Sequence, residues 1–267
     1  MEVLGEIVFV GLGLHDERGI SLRGLEEIKR ADTVFVEFYT SLMVGFSMKK
    51  FEEICGKKFH VVSRRNLEEE DGETVLRSGE EGETVLLVPG DPLIATTHVA
   101  LRIEAEKRGI KTSVVHGASV LSAVIGLSGL HNYKFGKSVT IPFSEVSETA
   151  YEVIGQNSRL GLHTLCLLDV KVEDNRYMEI REGLQLLLKI EERRKQGITT
   201  GDTLAVGIAK AGSRDPTVKA GYLKNLLDYR FGGPPHTIIF PGKLHFMEVE
   251  ALTVLAEAPE KMRETVR

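Results

Sequence analysis

The segment Thr84-Val85-Leu86-Leu87-Val88 runs directly into Pro89-Gly90-Asp91-Pro92, and this junction decides the fold class of the chain. A short run of β-branched and apolar residues is typical of a strand that is buried on both faces, and the proline–glycine turn ends it. A helix is predicted from about Thr96, with Val99 and Ile103 facing inward. A buried strand that is followed by a helix is the repeating unit of a parallel α/β sheet.

The same alternation of strands and helices extends in both directions along the chain. Strands are predicted at residues 7–10, 33–37, 59–62, 84–88 and 112–115, and then at 138–141, 164–168, 203–209 and 236–240. Further helices are predicted after the N-cap Ser21, at 120–126, near 145–154 and at 178–195. In the helix after Ser21, the residues Leu22, Leu25 and Ile28 are expected to share a buried face. Because helix-length segments separate the strands, parallel pairing through right-handed crossovers is expected.

A polar, aromatic and glycine-bearing segment from Leu130 to Lys137 interrupts this alternation. The chain has 267 residues, which allows one or two domains of about 100–200 residues each. We therefore expect two α/β domains, residues 1–134 and residues 135–267, with the second completing the site that the first begins.

The composition argues against several classes of protein. A net charge of −5 does not favour a nucleic-acid binder, and no apolar run is long enough to span a membrane. Cys55 and Cys166 each lie in an apolar segment, which indicates buried, reduced thiols and a cytoplasmic protein. The eight histidines show no metal-ligand spacing, so no metal site is expected.

Four turns follow predicted strands, at residues 11–14, 90–94, 116–120 and 209–213. Ligands of open α/β sheets bind beyond the carboxyl ends of the strands, so the convergence of these turns predicts a site. Each turn also has a structural interpretation. The pair Gly11 and Gly13 allows the backbone to approach either a ligand or a packed helix closely. The next glycine is Gly19, so the dinucleotide-binding pattern GxGxxG is not matched. Asp91 either forms an Asx-turn or binds a ligand, and Ser119 either caps the next helix or contacts a polar ligand.

Several strings in both halves of the chain resemble the diphthine synthases, a family of enzymes with the tetrapyrrole methylase fold. The matching strings are residues 11–14 with 16–18, 37–43, 89–93 with 95–98, 130–131 with 133–137, 161–164, 211–213, 234–236 and 241–245. The Gly90-Asp91-Pro92 turn marks only the wider superfamily, whereas the string at 37–41 is much more specific. One departure is Gly117-Ala118, where the family is expected to have alanine and proline before the serine.

The resemblance implies an S-adenosylmethionine-dependent methyltransferase in diphthamide biosynthesis. It implies a homodimer whose subunits hold the methyl donor in a cleft between their two domains. The implied protein substrate is translation elongation factor 2, whose 2-(3-amino-3-carboxypropyl)histidine is methylated on its amino group; no nucleic acid or membrane partner is expected. The implied donor contacts are Leu14, Asp91, Ile94, Ser119, Val120, Leu168, Ala211 and His236.

Methyl transfer to an amine moves a positive charge from sulfur to nitrogen, so positioning is expected to dominate catalysis and no dedicated base is expected. Tyr39, Thr40 and Lys137 are candidates for the substrate side, although surface or packing roles fit them equally well. Two other functions stay open at this point: another methylase of the same fold, with a corrinoid or ribosomal RNA substrate, and a non-catalytic nucleotide-binding α/β protein.

Overall fold

The structure is a computed structural model that describes residues 4–144 and 146–262. By its internal contacts the chain forms two compact units. Unit 1 comprises the chain up to Val120 together with Val172–Asp174, and unit 2 comprises Leu121–Lys171 together with the chain from Asn175 onward. This division lies earlier than the expected boundary between residues 134 and 135. The difference arises because the segment after Val120 is held by unit 2, where the backbone N–H of His131 donates to the Glu248 carboxylate at 2.9 Å.

Unit 1 contains a parallel sheet of five strands, in the order β3-β2-β4-β1-β5. Its strands are β1 (Leu4–Gly11), β2 (Thr33–Val36), β3 (His60–Val61), β4 (Glu83–Val88) and β5 (Ile110–Val115). Its helices are α1 (Leu22–Arg30), α2 (Met48–Cys55), α3 (Glu73–Glu81) and α4 (His98–Lys107), and α5 (Val120–Ser128) follows. The five predicted strands and their parallel pairing are confirmed. All five carboxyl ends therefore lie along one edge of the sheet.

Unit 2 contains a mixed sheet in the order β11-β10-β12-β7-β6 and a separate pair of short strands, β8 and β9. Its strands are β6 (Val139–Ile141), β7 (Thr164–Leu168), β8 (Val170–Lys171), β9 (Arg176–Tyr177), β10 (Leu204–Ala209), β11 (Thr217–Tyr222) and β12 (His236–Phe240). Its helices are α6 (Thr149–Arg159), α7 (Ile180–Arg194), α8 (Leu223–Leu226) and α9 (Phe246–Leu255). The helix predicted near residues 145–154 is α6, and Glu145 lies outside the described residues.

Parallel pairing was the wrong expectation for most of unit 2. Only β6 and β7 are parallel in its main sheet, whereas β10 pairs antiparallel with both β11 and β12, and β12 pairs antiparallel with β7. The reason is the short turn at residues 210–216, which carries the chain directly from β10 into β11. A connection of that length joins only antiparallel neighbours.

The apolar residues of two helices face other directions than predicted. Val99 and Ile103 of α4 are each 51% exposed, whereas His98, Leu101 and Ala105 are buried. Position 22 of α1 is likewise exposed, although Ile28 is buried and Ser21 caps the helix by accepting from the backbone N–H of residue 24. α4 carries apolar residues on more than one side. Its sequence pattern therefore fits either side as the one that faces the core.

Both units are built around packed apolar cores. Alternate residues of β1 enter different clusters, with Val8 and Val10 on one face of the sheet and Ile7 and Phe9 on the other. The predicted buried, free thiols are confirmed, since Cys55 packs in unit 1 and the other cysteine in the core of unit 2. Within residues 4–144 and 146–262, no helix has the length and apolarity to cross a membrane, and no cluster suits a metal ion.

Candidate functional site

The turns after β1 and β4 are joined at the carboxyl edge of the unit 1 sheet. The backbone N–H of Gly13 donates to the Gly90 carbonyl at 3.1 Å, and the N–H of Gly90 donates back to the Gly13 carbonyl at 2.8 Å. Both glycines have left-handed backbone conformations, with φ of 72° at each position. A side chain at either position would strain the turn, so the two glycines permit the backbone pairing.

Three glycines pack against one another at this edge. A β-carbon on Gly11 would lie 2.5 Å from the Gly90 carbonyl oxygen and 2.6 Å from the Gly117 nitrogen. A β-carbon on Gly117 would collide with the same carbonyl. In contrast, a β-carbon on Gly90 would meet no atom closer than the Ala118 carbonyl oxygen at 3.9 Å. The three turns therefore meet through bare backbone, and open space lies on one side of Gly90.

Asp91 holds the turn after β4 and links it to the turn after β5. One carboxylate oxygen accepts from the backbone N–H of Leu93 at 3.1 Å, which is the Asx-turn that its position predicts. The other oxygen accepts from His116 Nδ1 at 2.7 Å. The carboxylate is only 6% exposed, whereas the His116 side chain is 75% exposed. Each carboxylate oxygen retains a second acceptor position for a ligand.

The other site residues that were predicted in unit 1 lie in the same group of turns. Leu14, Ser119 and Val120 are partly buried, and Ile94 is 43% exposed. Ile94 follows the Asx-turn, and its backbone N–H points to the Asp91 carbonyl at 3.4 Å. α5 begins at Val120, directly after Ser119, as the sequence indicates. The structure thus brings the three predicted turns of unit 1, at residues 11–14, 90–94 and 116–120, to one edge of its sheet.

The predicted residues of unit 2 also gather at a single edge of their sheet. Ala209, at the end of β10, pairs with His236 at the start of β12, and Leu167 of β7 pairs with Thr237. Leu168 directly follows Leu167, and Ala211 lies two residues after Ala209; they are 8% and 9% exposed. These residues lie close together because β12 runs antiparallel to β10 and β7, so the start of β12 lies beside the ends of the other two strands.

His236 is 7% exposed, and its ring is oriented by the start of α7. Its Nδ1 accepts from the backbone N–H of Ile180 at 3.2 Å, which leaves the proton on Nε2 in the neutral ring. Burial lowers the pKa of His236 and favours that neutral form. Among the described residues, Nε2 has no hydrogen-bond partner although it is buried. It is a donor that a ligand could satisfy.

The candidates for the substrate side are separated by the structure. Tyr39 is buried, and its hydroxyl lies 3.4 Å from His98 Nε2, whereas Thr40 is partly exposed. Lys137 is exposed and belongs to unit 2, where its backbone bonds the Asn157 side chain. Glu37, a fully buried carboxylate that directly follows β2, is not among the predicted site residues. An acidic residue immediately after an apolar strand was the available signal.

Another set of matching strings meets around Glu248 in unit 2. The buried Glu248 carboxylate accepts from His163 Nε2 at 2.9 Å, from Lys134 Nζ, and from the backbone N–H groups of His131 and His245. This network joins the segments at residues 130–137, 161–164 and 241–245. It lies where β12 ends and β7 begins, whereas His236 and Leu168 lie at the opposite ends of those strands. These strings therefore serve the architecture of unit 2.

Comparison with known proteins gives consistent matches over nearly the whole chain. Residues 6–227 match the family described as Tetrapyrrole (Corrin/Porphyrin) Methylases. The chain is 48% identical to the diphthine synthase of Methanosarcina acetivorans, covering 97% of this chain and 98% of that protein. It is 46% identical to the diphthine synthase of Methanocaldococcus jannaschii, covering 94% and 99%.

Solved structures give the same result. A crystal structure of a diphthine synthase matches with a TM-score of 0.90 at 42% identity, covering 98% of this chain and all of that one. The crystal structure of a putative diphthine synthase from Entamoeba histolytica matches with a TM-score of 0.86 at 35% identity, covering 96% of this chain and 100% of the other.

Proposed function

The chain belongs to the tetrapyrrole methylase family and, within it, to the diphthine synthases, and from this membership we propose its reaction and its site. It successively transfers methyl groups from S-adenosylmethionine to the amino group of 2-(3-amino-3-carboxypropyl)histidine in translation elongation factor 2, which forms diphthine in diphthamide biosynthesis. The observation that carries this proposal is the junction of three turns around Asp91, on a chain that matches methyltransferases over nearly all its length.

The residues that are present fit the methyl donor. The bare backbone of Gly90 leaves room for a ligand to approach the strand ends closely, and Gly11 and Gly117 allow the neighbouring turns to pack against it. Asp91 offers carboxylate acceptor positions to hydroxyl or ammonium groups, and His236 offers a buried N–H that lacks a partner. We assign the donor contacts to Leu14, Asp91, Ile94, Ser119 and Val120 in unit 1. In unit 2 we assign them to Leu168, Ala211 and His236.

S-adenosylmethionine supplies an electrophilic methyl group when bound, and the protein has to hold a neutral amine in line with it. The chain contributes by binding and orienting both groups, because alignment of reactants is worth about 7–11 kcal/mol of the barrier. The turns around Asp91 are suited to this task, since hydrogen bonds between them fix their relative positions. We propose that the enzyme is a homodimer that acts in the cytoplasm.

One experiment tests the activity. The purified chain is incubated with S-adenosylmethionine and with elongation factor 2 that carries the unmethylated side chain. The mass of the factor is then measured by mass spectrometry. We expect mass increases in whole methyl increments at the modified histidine. A control factor with an unmodified histidine should gain no methyl group. Methylation of a corrinoid or of ribosomal RNA instead, or donor binding without turnover, would refute the proposal. Sedimentation analysis tests the dimer.

A further inference from the structure

The described residues contain four buried carboxylates, and Glu37 differs from the other three. Glu17 pairs with Lys50, Asp91 bonds His116, and Glu248 pairs with Lys134 and a histidine. Among the described residues, the only basic side chain within ion-pair distance of Glu37 is His98, whose Nε2 lies 3.9 Å from Oε1. Burial lowers the pKa of His98 to about 4, so this imidazole carries no charge near neutral pH. Glu37 is therefore buried without a compensating cation.

The hydrogen bonds of Glu37 all go to the turn that follows it. Its Oε1 accepts from the Thr40 hydroxyl at 2.5 Å, and its Oε2 accepts from the Thr40 backbone N–H at 3.1 Å. Glu37 itself is fully buried, whereas Thr40 is partly exposed. The Thr40 hydroxyl donates its single proton to Glu37, which leaves its oxygen lone pairs available to a donor outside. Thr40 is thus the more exposed residue of this hydrogen-bonded pair.

Glu37 lies at the edge of the sheet where the donor contacts of unit 1 are assigned. It directly follows β2, and its backbone N–H donates to the Leu87 carbonyl of β4 at 3.1 Å. Three residues after Leu87, β4 has ended and the chain forms the Gly90–Asp91 turn. The pair of Glu37 and Thr40 is therefore next to the strand that carries the principal donor contact.

The proposed reaction releases protons that must be taken up. A substrate ammonium group becomes nucleophilic only after an N–H bond breaks and leaves its electron pair on nitrogen. Conversion of an ammonium to a trimethylammonium group requires three such losses, one before each transfer. An α-amino group has an ordinary pKa of about 8, and the adjacent carboxylate of this substrate raises it, so most of the amine is protonated at neutral pH. A carboxylate whose pKa is raised towards that of the amine is a better acceptor than an ordinary carboxylate.

We propose, in place of the expectation that no dedicated base is needed, that Glu37 is the proton acceptor for the substrate amine and that it acts through the Thr40 hydroxyl. This inference rests on the proposed function. The substrate ammonium donates its proton to Thr40 Oγ while the Thr40 hydroxyl proton passes to Glu37 Oε1. Nitrogen keeps the electron pair of the broken N–H bond, Thr40 is unchanged, and Glu37 becomes neutral. The carboxyl group returns the proton to water by the reverse path before the next transfer.

The surroundings of Glu37 favour proton uptake. Burial raises its pKa to about 7, against the opposing effect of the hydrogen bonds from Thr40. The negative charge of Glu68, which the segment after β3 contributes, also raises the pKa. Tyr39 and His98 face the carboxylate as neutral groups; burial raises the pKa of Tyr39, and Arg64 lies over its ring at 5.3 Å. Near neutral pH the ionised and the protonated forms of the Glu37 carboxyl group are therefore present in comparable amounts.

The test compares single-turnover methylation by the wild type with that by four variants. Glu37→Gln keeps an acceptor for the Thr40 hydroxyl but cannot take a proton, and Thr40→Val keeps the shape but loses the hydroxyl. We expect each to lower the rate by about 100-fold, with unchanged S-adenosylmethionine affinity by calorimetry. Thr40→Ser should retain the wild-type rate. The double variant that combines Glu37→Gln with Thr40→Val should be no slower than either single variant, because each substitution already disables the same relay.

The pH dependence distinguishes proton transfer from a structural role. The wild-type rate should fall as the pH drops below about 7, because Glu37 then becomes protonated and cannot accept. In Glu37→Gln the part of this fall that is due to Glu37 should disappear, and the rate should then follow only the ionisation of the substrate amine. Infrared difference spectra of the free wild-type protein should show one carboxylic acid titrating near neutral pH, and Glu37→Gln should lack it. This measurement needs neither substrate nor methyl donor.

The outcomes are distinguishable. If the wild type methylates elongation factor 2 but Glu37→Gln keeps its rate and pH profile, the relay is refuted and the proposed function stands. If the wild type does not methylate the factor, the proposed function fails and the relay fails with it, whatever the infrared titration shows. Should Glu37→Gln fail to fold, the contrast between Thr40→Val and Thr40→Ser decides, since equal rates in those two variants would refute the relay.

Discussion

The Asp91 carboxylate accepts a hydrogen bond from His116 Nδ1 at 2.7 Å, although these residues follow strands that are not neighbours in the sheet. β1 lies between their strands, and its turn is bonded to the β4 turn through Gly13 and Gly90. The bond between Asp91 and His116 therefore closes a bridge across three consecutive strands. A ligand that contacts Asp91 would find an acceptor whose orientation is fixed from two sides.

This bridge predicts graded effects on binding of the methyl donor. Asp91→Ala removes the acceptor and also leaves the Leu93 N–H and His116 without their partner, so we expect the dissociation constant of S-adenosylmethionine to rise by about tenfold or more. His116→Ala keeps the carboxylate and should weaken binding less. Calorimetry measures both, with melting temperatures as the control for folding. Unchanged affinity in Asp91→Ala would remove this residue from the site.

The packing of three glycines predicts that Gly117→Ala disrupts the site. The added β-carbon would collide with the Gly90 carbonyl oxygen, so the turn after β5 has to move. We expect weaker donor binding and a lower melting temperature. Gly126→Ala in α5 is the matched control, because a β-carbon there meets no atom within 4 Å and alanine favours helix by about 1 kcal/mol. Gly117→Ala with unchanged affinity and stability would contradict the packing argument.

The sequence predicted the sheet of unit 1 and the meeting of its turns better than the sheet of unit 2, for physical reasons. Parallel strands share one edge for their carboxyl ends, so a set of unusual turns such as those at Gly11 and Gly90 had to converge. In unit 2 the runs at β7, β10 and β12 are mostly apolar and buried, and such a run does not show whether its neighbours are parallel or antiparallel. Strand direction there depends on connections such as the turn at residues 210–216.

The inner face of α4 and the partners of Glu37 could not be predicted from local sequence. Val99 and Ile103 are as apolar as Leu101 and Ala105, so helical spacing fits either stripe. The choice depends on which stripe meets the sheet. Glu37 and His98 are far apart in the chain, and only the fold sets them 3.9 Å apart and removes both from water.

The two cysteines should be inert in the folded protein. Cys166 is fully buried and Cys55 is 5% exposed, and burial raises the pKa of both thiols, which disfavours the reactive thiolate. We expect maleimide labelling in native buffer to be at least about a thousandfold slower than in urea, because Cys166 reacts only after opening of its core. Rapid labelling of Cys166 in the native protein would show that unit 2 is less tightly packed than the structure indicates.

The Glu248 network predicts a specific loss of stability in acid. Burial alone would raise the pKa of Glu248, but the Lys134 ammonium, the backbone N–H groups of His245 and His131, and His163 outweigh it and lower the pKa to about 2. Because the folded-state pKa is below the ordinary value of 4.5, the carboxylate stabilises the fold above about pH 4.5. That contribution is lost as the pH falls from there towards about 2.

Glu248→Gln tests this prediction through the free energy of unfolding in urea, measured at neutral and at acidic pH. Near neutral pH the variant should be less stable by about 3 kcal/mol, because a buried charged partner is lost and Lys134 remains. The difference should shrink steadily as the pH falls below about 4.5, because the wild type then loses the same charge. Glu257→Gln, which breaks an exposed pair with Lys219, should cause no measurable change at either pH. A Glu248→Gln deficit that is the same at both pH values would show that shape, and not charge, accounts for its role.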